Sequence, residues 1–399
     1  MKTVGIIAEY NPFHNGHQYH IEQARRITGA DAVVCVMSGS FVQRGDCAVA
    51  DKWTRAHAAL LGGADLILEL PVYYSLAVAQ LFAFGAVATL NALGCVDFLS
   101  FGIEADSLSQ LSTLAKKLVY ENDKIKVETQ KYLDGYTGYP AARQKALTAL
   151  YGAEEDLINT PNNMLALEYL CQLRLQDSTM QPVGIKRCGA AYHDAQITSQ
   201  FASATAIRAA LKQGSDFRAA VPESTYALYQ HARQNGTFPV FDSQFDQMLL
   251  GFLRRSRPED LQNILDMPHG MENRLISAAN SAGTVDDLVE LCSVKHYTRA
   301  RIRRLLFASL IGIPNMGYTK PPSYLRVLGM NRTGQKVLSQ IRDTCRLPII
   351  VKAANFPARD TDPLFLLDCK STDLYCLAYQ NSTLRRGGAD FTTTPIILK

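Results

Sequence analysis

The chain lacks a hydrophobic run long enough to cross a membrane as a helix, which takes about 18 consecutive apolar residues. Its longest apolar stretch, residues 76–93, is interrupted by Gln80 and Asn91 and predicts a buried helix instead. The sequence enters a strand-like run at once, without the cationic and apolar regions of a secretory signal. We therefore expect a cytoplasmic protein without membrane-spanning helices.

The cysteines lack the spacing of a metal or redox site. Nine of them are scattered along the sequence, and no two form the Cys-x-x-Cys pattern of zinc sites and redox pairs. We expect most of them to be small buried apolar side chains. Internal repeats and low-complexity tracts are also lacking. The 399 residues, 47% hydrophobic and 20% charged, are typical of a globular protein with two or three domains.

Short apolar runs alternate with helical patterns in the first half of the chain. The predicted strands are Thr3–Ala8, Ala32–Ser38 and residues 64–70, 96–101 and 182–188; the predicted helices are residues 17–28, 53–61, 77–93 and Leu108–Tyr120. This order predicts an α/β fold with a Rossmann-like parallel sheet covered on both faces. Because parallel sheets bind ligands outside the carboxyl ends of their strands, the loops after the first four strands should meet at one crevice.

The second half of the chain has another pattern, because the strand-helix alternation fades near residue 235. We predict one domain of residues 1–235, with a helical insertion at about 120–160. Residues 236–399 are predicted to be mainly helical, with a short extended end near residues 391–398.

Cations are concentrated in this second half, although the net charge of the whole chain is only +4. They are Arg254, Arg255, Arg257, Lys295, His296, Arg299, Arg301, Arg303 and Arg304. No acidic residue lies within residues 295–304. A solvated surface face and contact with RNA phosphates both remain open.

Two histidines follow the first predicted strand, in the run Asn11-Pro12-Phe13-His14-Asn15-Gly16-His17. A helix that starts there offers unpaired N–H groups and a positive dipole end, which favour phosphate. Imidazoles three residues apart can flank one phosphate, and Gly16 lets the backbone approach a ligand closely. Structural or surface histidines are the alternative, but the strand before and the helix after favour nucleotide chemistry.

A second motif, Ser203-Ala204-Thr205-Ala206-Ile207-Arg208, changes from loop to helix. Ser203 can cap the helix, its hydroxyl can bind phosphate oxygens, and Arg208 can reach the same anion. An ordinary capped helix with Arg208 on the surface is the alternative. The presence of the histidine run upstream favours phosphate binding.

These two motifs resemble those of the HIGH-type nucleotidyltransferases, whose members cut ATP between the α- and β-phosphates. Together with residues 38–45 and the run Asp51-Lys52-Trp53-Thr54-Arg55, they resemble the bacterial tRNA(Met) cytidine acetate ligase family over the whole chain. The resemblance implies that residues 1–235 form a nucleotidyltransferase-like catalytic domain and residues 236–399 a tRNA-binding domain. It also implies ATP, acetate and elongator tRNA(Met) as substrates, and N4-acetylcytidine at the wobble position as the product.

The resemblance also implies site residues. The ATP-binding segment of the family maps onto Ile7, Ala8, Glu9, Tyr10, Asn11, Pro12, Phe13, His14, Asn15, Gly16, His17, Gln18, Tyr19 and His20, with Gly102, Asn162 and Arg187 as further matches. Asn163 is an alternative to Asn162, which can also be a helix cap. The second motif adds Ser203 and Thr205 to the ATP site.

Acetate is already an anion at neutral pH and can attack the α-phosphorus without a general base. The site must then stabilise the charge that develops, which makes His14, His17 and Arg208 the candidate catalytic residues, assisted by Mg²⁺. The candidate tRNA contacts are Arg254, Arg255, Lys295, Arg299, Arg301, Arg303 and Arg304.

Other assignments remain open. Gln43, Arg44 and Lys52 are candidates for binding acetate or pyrophosphate, because their Gly-flanked loop can close over a ligand; a plain surface loop is the alternative. No spacing singles out Asp46, Asp51 or Glu104 as a metal ligand or histidine partner. Two other functions remain, a small-molecule adenylyltransferase, which the basic half disfavours, and an inactive RNA-binding protein, which the intact motifs disfavour.

Overall fold

The chain folds around one mostly parallel sheet. This computed structural model describes residues 1–104, 107–133, 139–152, 160–186, 201–294, 297–317, 319–342 and 345–399. The strands are β1 (Thr3–Ala8), β2 (Ala32–Ser38), β3 (Leu66–Leu70), β4 (Phe98–Ile103), β5 (Gln181–Lys186), β6 (Leu325–Met330), β7 (Ile349–Ile350) and β8 (Ile396–Ile397). They lie in the order β5-β4-β1-β2-β3-β6-β7, and β8 pairs with β6. Strands β1 to β5 pair in parallel, which confirms the predicted α/β fold.

The helices occupy the places that the sequence pattern predicts in the first half and continue through the second. They are α1 (Asn15–Thr28), α2 (Lys52–Leu61), α3 (Val72–Ser75), α4 (Ala79–Leu93), α5 (Leu108–Tyr120), α6 (Asn122–Lys131), α7 (Tyr139–Tyr151), α8 (Pro161–Leu175), α9 (Ala204–Gln213), α10 (Glu223–Gln234), α11 (Asp246–Arg255), α12 (Pro258–Leu261), α13 (Met271–Ser281), α14 (Val285–Cys292), α15 (Arg299–Ile311), α16 (Arg332–Ile341), α17 (Pro363–Cys376) and α18 (Ala389–Thr392). Helices α6 and α7 lie in the expected insertion. No helix among the described residues is both long and apolar enough to span a bilayer.

Strand β2 is apolar along its length because both of its faces are covered. Val34 and Val36 belong to one hydrophobic core, whereas Val33 and Met37 belong to another on the opposite face of the sheet. Helix α4 contributes to the first core, and helices α1 and α2 contribute to the second. Trp53 of α2 lies in the second core.

Strand β6 brings residues of the second half into the sheet. It pairs antiparallel with β3, so that Leu66 lies opposite Met330 and Glu69 opposite Arg326. Strands β7 and β8 then pair with opposite ends of β6. The sequence pattern predicts mainly helix here and misses β6, although β8 lies in the predicted extended end. The division at residue 235 stays a prediction, and residues of both parts share this sheet.

Candidate active site

A cavity of about 240 Å³ opens at the carboxyl ends of the central strands. Strand β1 lies between β2 and β4, so the direction of the connections changes beside β1, where such sheets bind ligands. The walls come from the ends of β1, β4 and β5, the loops after β1 and β2, and the first turns of α1, α8 and α9. The predicted site residues in the wall are Ile7, Ala8, Glu9, Tyr10, Asn11, His14, Gly16, His17, Tyr19, His20, Gln43, Arg44, Gly102, Asn162, Ser203, Thr205 and Arg208.

His14 and His17 form the start of α1. Nδ1 of His14, the N-cap residue, accepts a hydrogen bond from the Gly16 N–H at 3.0 Å. Nδ1 of His17 accepts from the His14 N–H at 3.3 Å, which completes a reciprocal cap. The two rings stack with their centroids 3.7 Å apart. A Cβ atom on residue 16 would lie 2.9 Å from His14 Cε1, so glycine is required beneath the capping ring.

These caps determine which ring nitrogen of each histidine carries the proton. A ring nitrogen that accepts a backbone hydrogen bond is unprotonated, so the neutral form of each ring has its N–H at Nε2. The first turn of the helix adds backbone N–H groups and the positive end of its dipole. This wall of the cavity therefore offers hydrogen-bond donors to an anion.

The second motif brings another helix start to the same cavity. Ser203 caps α9, and its Oγ accepts from the Ala206 N–H at 3.1 Å. Arg208 donates from Nη1 to the carbonyl oxygen of Asn11 at 2.8 Å and from Nη2 to Thr205 Oγ1 at 3.3 Å. Two segments that are far apart in the sequence therefore meet, and two helix N-termini face one cavity.

The loop after β2 forms a further side of the cavity. Gln43, Arg44 and Asp46 line it, and the Gln43 N–H donates to Glu9 Oε1 at 2.9 Å. Burial raises the pKa of the Glu9 carboxyl above its ordinary value, although Arg44, the Gln43 N–H and Arg208 oppose this effect. The cavity thus combines the carboxyl groups of Glu9 and Asp46 with the cationic side chains of Arg44, from the loop after β2, and Arg208, from α9.

Arg55, to which the sequence analysis assigns no role, joins the loops after β1 and β2. Its guanidinium is fully buried. It donates to the carbonyl oxygens of Glu9 at 2.7 Å, Ala50 at 2.9 Å and Ser38 at 3.0 Å, and also to that of Gly39. Because one rigid group binds acceptors from both loops, the cavity-facing ends of β1 and β2 are fixed relative to each other.

One wall of the cavity is apolar, and the sequence analysis missed it. The rings of Phe101 and Tyr169 lie with their centroids 5.7 Å apart. The wall residues not predicted are Ile6, Val42, Phe82, Phe101, Leu165, Tyr169, Ile185, Lys186, Phe201, Ala202 and Ala204. They come from separate elements, and in the sequence each apolar one looks like an ordinary core residue. An apolar wall opposite hydrogen-bond donors suits a ligand that combines a flat base with phosphates.

The two asparagines at the start of α8 have different roles. Asn162 lines the cavity and donates from Nδ2 to the Glu104 carboxylate. Asn163 is buried, and its Oδ1 accepts from the Glu104 N–H at 2.9 Å. The geometry therefore favours Asn162 as the residue that faces a ligand. Arg187, the other predicted match in this part of the chain, lies outside the described residues.

Lys52 lies outside this cavity, so the geometry does not support its predicted contact with acetate or pyrophosphate. Its ammonium group is fully buried, 2.7 Å from Glu69 Oε1 and 2.7 Å from Asp390 Oδ1. Arg326 binds the same two carboxylates, at 3.4 Å from Glu69 Oε2 and 2.6 Å from Asp390 Oδ1. Lys52 therefore belongs to a buried ionic cluster that a ligand cannot reach.

Four residues of the predicted ATP-binding segment do not line the cavity. These are Pro12, Phe13, Asn15 and Gln18. The Phe13 N–H donates to the hydroxyl oxygen of Tyr229 at 2.9 Å, and Asn15 Nδ2 donates to the carbonyl oxygen of Ala219 at 2.9 Å. These two hydrogen bonds support the turn before α1.

The basic residues of the second half differ in their surroundings. Arg254 donates to the carbonyl oxygens of Ala279 and Ala282, both at 2.9 Å, at the end of α13. Arg304 donates to the carbonyl oxygen of Gln43 at 3.2 Å. Arg303 is 16% exposed and is surrounded by acids. These three therefore bind protein groups.

The other predicted tRNA contacts among the described residues are Arg255, Arg299 and Arg301. Arg255 is exposed, and Arg299 is 53% exposed and pairs with Glu290. The Arg301 guanidinium lies over the ring of Tyr297, 5.2 Å from its centroid. Lys295 lies outside the described residues.

No cage for a metal ion is present among the described residues, in which no group of three or more His, Cys, Asp or Glu side chains is close enough to hold one. Mg²⁺ in nucleotide sites is held mainly by phosphates and water, with one or two carboxylates. Glu9 and Asp46 are carboxylates of the cavity wall. The residues present therefore fit an ion that arrives bound to a nucleotide.

Comparison with known proteins places this geometry in a family. The sequence profile of the HIGH Nucleotidyl Transferase family matches residues 1–390. A relative from Acetivibrio thermocellus, named tRNA(Met) cytidine acetate ligase, is 37% identical over 100% of both chains. A protein of the same name from Halothermothrix orenii is 38% identical over 98% of both chains.

Solved structures agree with this match. The apo crystal structure of Thermotoga maritima TmcAL has a TM-score of 0.93 and 33% identity, and each chain is covered completely. The form of the same protein bound with alpha-thio ATP has a TM-score of 0.91 and 32% identity, again with complete coverage. The chain therefore belongs to the HIGH nucleotidyl transferase family and, within it, to the tRNA(Met) cytidine acetate ligases.

Proposed function

We propose that this protein uses ATP to join acetate to a cytidine of tRNA(Met), with acetyl-adenylate as the intermediate. The observation that carries the proposal is the hydrogen bond from Arg208 to Asn11, which brings two helix N-termini to one cavity. The names of full-length relatives support the choice of acetate and tRNA(Met). The neighbour bound with alpha-thio ATP supports the nucleotide.

ATP fits the division of the cavity into an apolar and a donor-rich part. The adenine lies against the apolar wall near Phe101 and the backbone of Gly102, and Asn162 is placed to bind the nucleoside. The phosphates have the stacked imidazoles of His14 and His17 on one side and the start of α9 on the other. Both helix N-termini then act on the same polyanion.

In the first step an oxygen of acetate attacks the α-phosphorus, and the bond from that phosphorus to the bridging oxygen of the β-phosphate breaks. Acetyl-adenylate forms and pyrophosphate leaves with the electron pair of the broken bond. The Nε2–H groups of His14 and His17 and the guanidinium of Arg208 stabilise the charge that builds up on the phosphate oxygens. Their positions are fixed in advance by the caps and by the contact with Asn11.

In the second step the N4 amino group of cytidine attacks the acetyl carbon, the bond to AMP breaks, and N4 loses a proton. The base must be unstacked to reach a cavity at the end of the sheet. We assign the wobble cytidine of elongator tRNA(Met) as this base, which places the reaction in the cytoplasm. When bound with the nucleotide, Mg²⁺ would neutralise phosphate charge.

Exchange of labelled pyrophosphate into ATP tests the first step without RNA. We expect exchange that requires acetate, because only the carboxylate makes the adenylate reversibly. Equal exchange without any carboxylate would favour a small-molecule adenylyltransferase. No exchange, together with tight RNA binding, would favour an inactive RNA-binding protein.

Mass spectrometry of nucleosides tests the second step. Unmodified elongator tRNA(Met) is incubated with the protein, ATP and labelled acetate, and the digest is searched for acetylated cytidine. A transcript with uridine at the wobble position is the matched control. Label in both transcripts would contradict the assigned base.

A further inference from the structure

Arg303 of α15 is surrounded by three aspartates from three different elements. Its Nη1 lies 3.6 Å from Asp46 Oδ1 and forms a closer ion pair with Asp242, while Nη2 pairs with Asp286. Asp46 belongs to the loop after β2, and Asp286 to the first turn of α14. Only 16% of the Arg303 side chain is exposed. Its charge is therefore already matched by protein carboxylates and adds little attraction for RNA phosphates.

The loop after β2 also packs directly on the backbone of α15. Gly45 has φ +84°, and a Cβ atom there would lie 2.5 Å from the backbone nitrogen of Arg304 and 2.7 Å from Arg303 Cβ. Arg304 donates from Nη1 to the carbonyl oxygen of Gln43 at 3.2 Å. Residues 43–46 are thus in contact with both the side chains and the backbone of this helix.

A second attachment of the loop depends on one of these acids, Asp242. The Cys47 N–H donates to Asp242 Oδ1 at 3.0 Å, while the other oxygen of Asp242 binds Arg303. One carboxylate therefore links the loop backbone to the helix.

The opposite side of residues 43–46 is the cavity wall. Arg44 and Asp46 line the cavity, and the Gln43 N–H binds the Glu9 carboxylate at 2.9 Å. Any shift of the loop away from α15 would move Arg44 relative to a bound nucleotide and lengthen the contact with Glu9. Misplacement of a binding group by about 1 Å can cost about 100-fold in rate.

We propose that Arg303 is a positioning residue of the nucleotide cavity, which gathers Asp46 and Asp242 and thereby holds residues 43–46 in their binding position. The proposal rests on the proposed function and refines it, since the sequence pattern assigns Arg303 to tRNA. In this division of roles, the buried side of the α15 start serves the ATP step. Arg301, whose guanidinium lies over the ring of Tyr297, remains a candidate for tRNA.

The test compares Arg303→Met with Arg301→Met and with a surface control, Arg359→Met, whose side chain is 46% exposed and pairs with Asp360. Acetate-dependent exchange of pyrophosphate gives kcat and KM for ATP, calorimetry gives the Kd for ATP, and filter binding gives the Kd for tRNA. We expect Arg303→Met to weaken ATP binding and lower kcat/KM by about 10- to 100-fold. Its Kd for tRNA should stay within about twofold of the parent value.

Arg301→Met should weaken tRNA binding and leave the Kd for ATP near the parent value. Arg359→Met should match the parent protein in every assay. A normal ATP Kd with weakened tRNA binding in Arg303→Met would overturn the proposal. The ATP Kd needs no ligase activity, so it reports on Arg303 even if the parent protein catalyses no exchange, a result that would instead refute the proposed function.

Stability is measured in parallel, because the replacement leaves three acids clustered. A purely structural role would lower the Tm without changing the ATP Kd measured well below that temperature. If Arg303→Met does not fold, Arg303→Lys and Asp46→Asn each remove part of the same set of contacts. Wild-type ATP affinity in both of these variants would also overturn the proposal.

Discussion

Arg208 and Asn11 lie 197 positions apart in the sequence and share a hydrogen bond of 2.8 Å. Because a guanidinium binds the backbone of the turn before α1, the position of that turn depends on α9. Phosphate binding at the start of α1 therefore depends on the position of α9, and binding at the start of α9 depends on the position of α1.

Replacing Arg208 with Lys should lower kcat/KM for exchange by about 100- to 1,000-fold, the usual cost of removing one preorganised donor. Lysine keeps the charge but cannot bind Asn11, Thr205 and a phosphate with one planar group. Steady-state exchange kinetics give the value. Arg218→Lys is the matched control, because Arg218 is 59% exposed and pairs with Glu223. Similar losses in both variants would argue against a role for Arg208 in the site.

Asparagine at position 14 should separate capping from catalysis. His14→Asn keeps a good N-cap acceptor, so the Tm should change little, but it removes the Nε2 donor. We expect exchange to fall by about 100-fold or more. His14→Ala should show the same loss and cost a further 0.5–2 kcal/mol or so in unfolding free energy. Full activity of His14→Asn would mean that His14 only caps the helix.

Lys52→Met should destabilise the fold without changing how acetate binds. The substitution leaves the buried carboxylates of Glu69 and Asp390 with Arg326 as the remaining cation of the cluster, at a cost of about 3–5 kcal/mol. Urea unfolding measures this cost, and exchange at low temperature gives KM for acetate. Lys124→Met is the control, since Lys124 is 58% exposed. A stable Lys52→Met protein with a greatly raised KM for acetate would restore the role that the sequence suggests.

Asp368 should make the protein less stable as the pH rises. Burial, with the nearby Glu69 carboxylate, raises the pKa of Asp368 to about 8 from an ordinary 3.8. The native state therefore holds a proton that the unfolded chain releases, and the resulting stability is lost as the pH rises through about 8. Between about pH 6 and pH 9 this loss amounts to roughly 3 kcal/mol.

The isosteric variant Asp368→Asn should remove this pH dependence. Its amide oxygen can still accept from the Val72 N–H, and the side chain still reaches the Tyr324 hydroxyl. Denaturant unfolding across this pH range should show the variant gaining stability over the parent protein at high pH. Asp360→Asn, at an 80% exposed carboxylate, should follow the parent. An unchanged pH profile in Asp368→Asn would contradict the assignment.

Local sequence patterns predicted the part of the fold that carries the nucleotide motifs. Strands β1 and β2 begin and end at the predicted residues, because their mostly apolar runs stop at a polar or turn-forming residue, Glu9 after β1 and Gly39 after β2. Strand β6 was not predicted. Its short apolar run, Leu325–Met330, stands among helical patterns, and periodicity cannot distinguish such a run from a buried helix turn.

The site was predictable where adjacent residues carry its chemistry. The histidine pair and the Ser203 turn are such local signals. For Lys52 and Arg303 the sequence pattern did not show the acids that bind them, because these acids come from distant parts of the chain, such as Asp390 for Lys52 and Asp46 for Arg303. Counting acids within one basic run cannot detect partners of this kind.

The buried cluster around Lys52 joins residues from both ends of the sequence. Lys52 and Glu69 are translated early, whereas Arg326 and Asp390 emerge near the end of synthesis. A Cβ atom at Gly39 would lie 2.5 Å from Glu69 Oε1, so the cluster abuts the turn that Arg55 holds at the end of β2. A nascent chain that has not yet exposed Asp390 still lacks one carboxylate of this cluster, so the buried charges beside β3 are balanced only when synthesis is nearly complete.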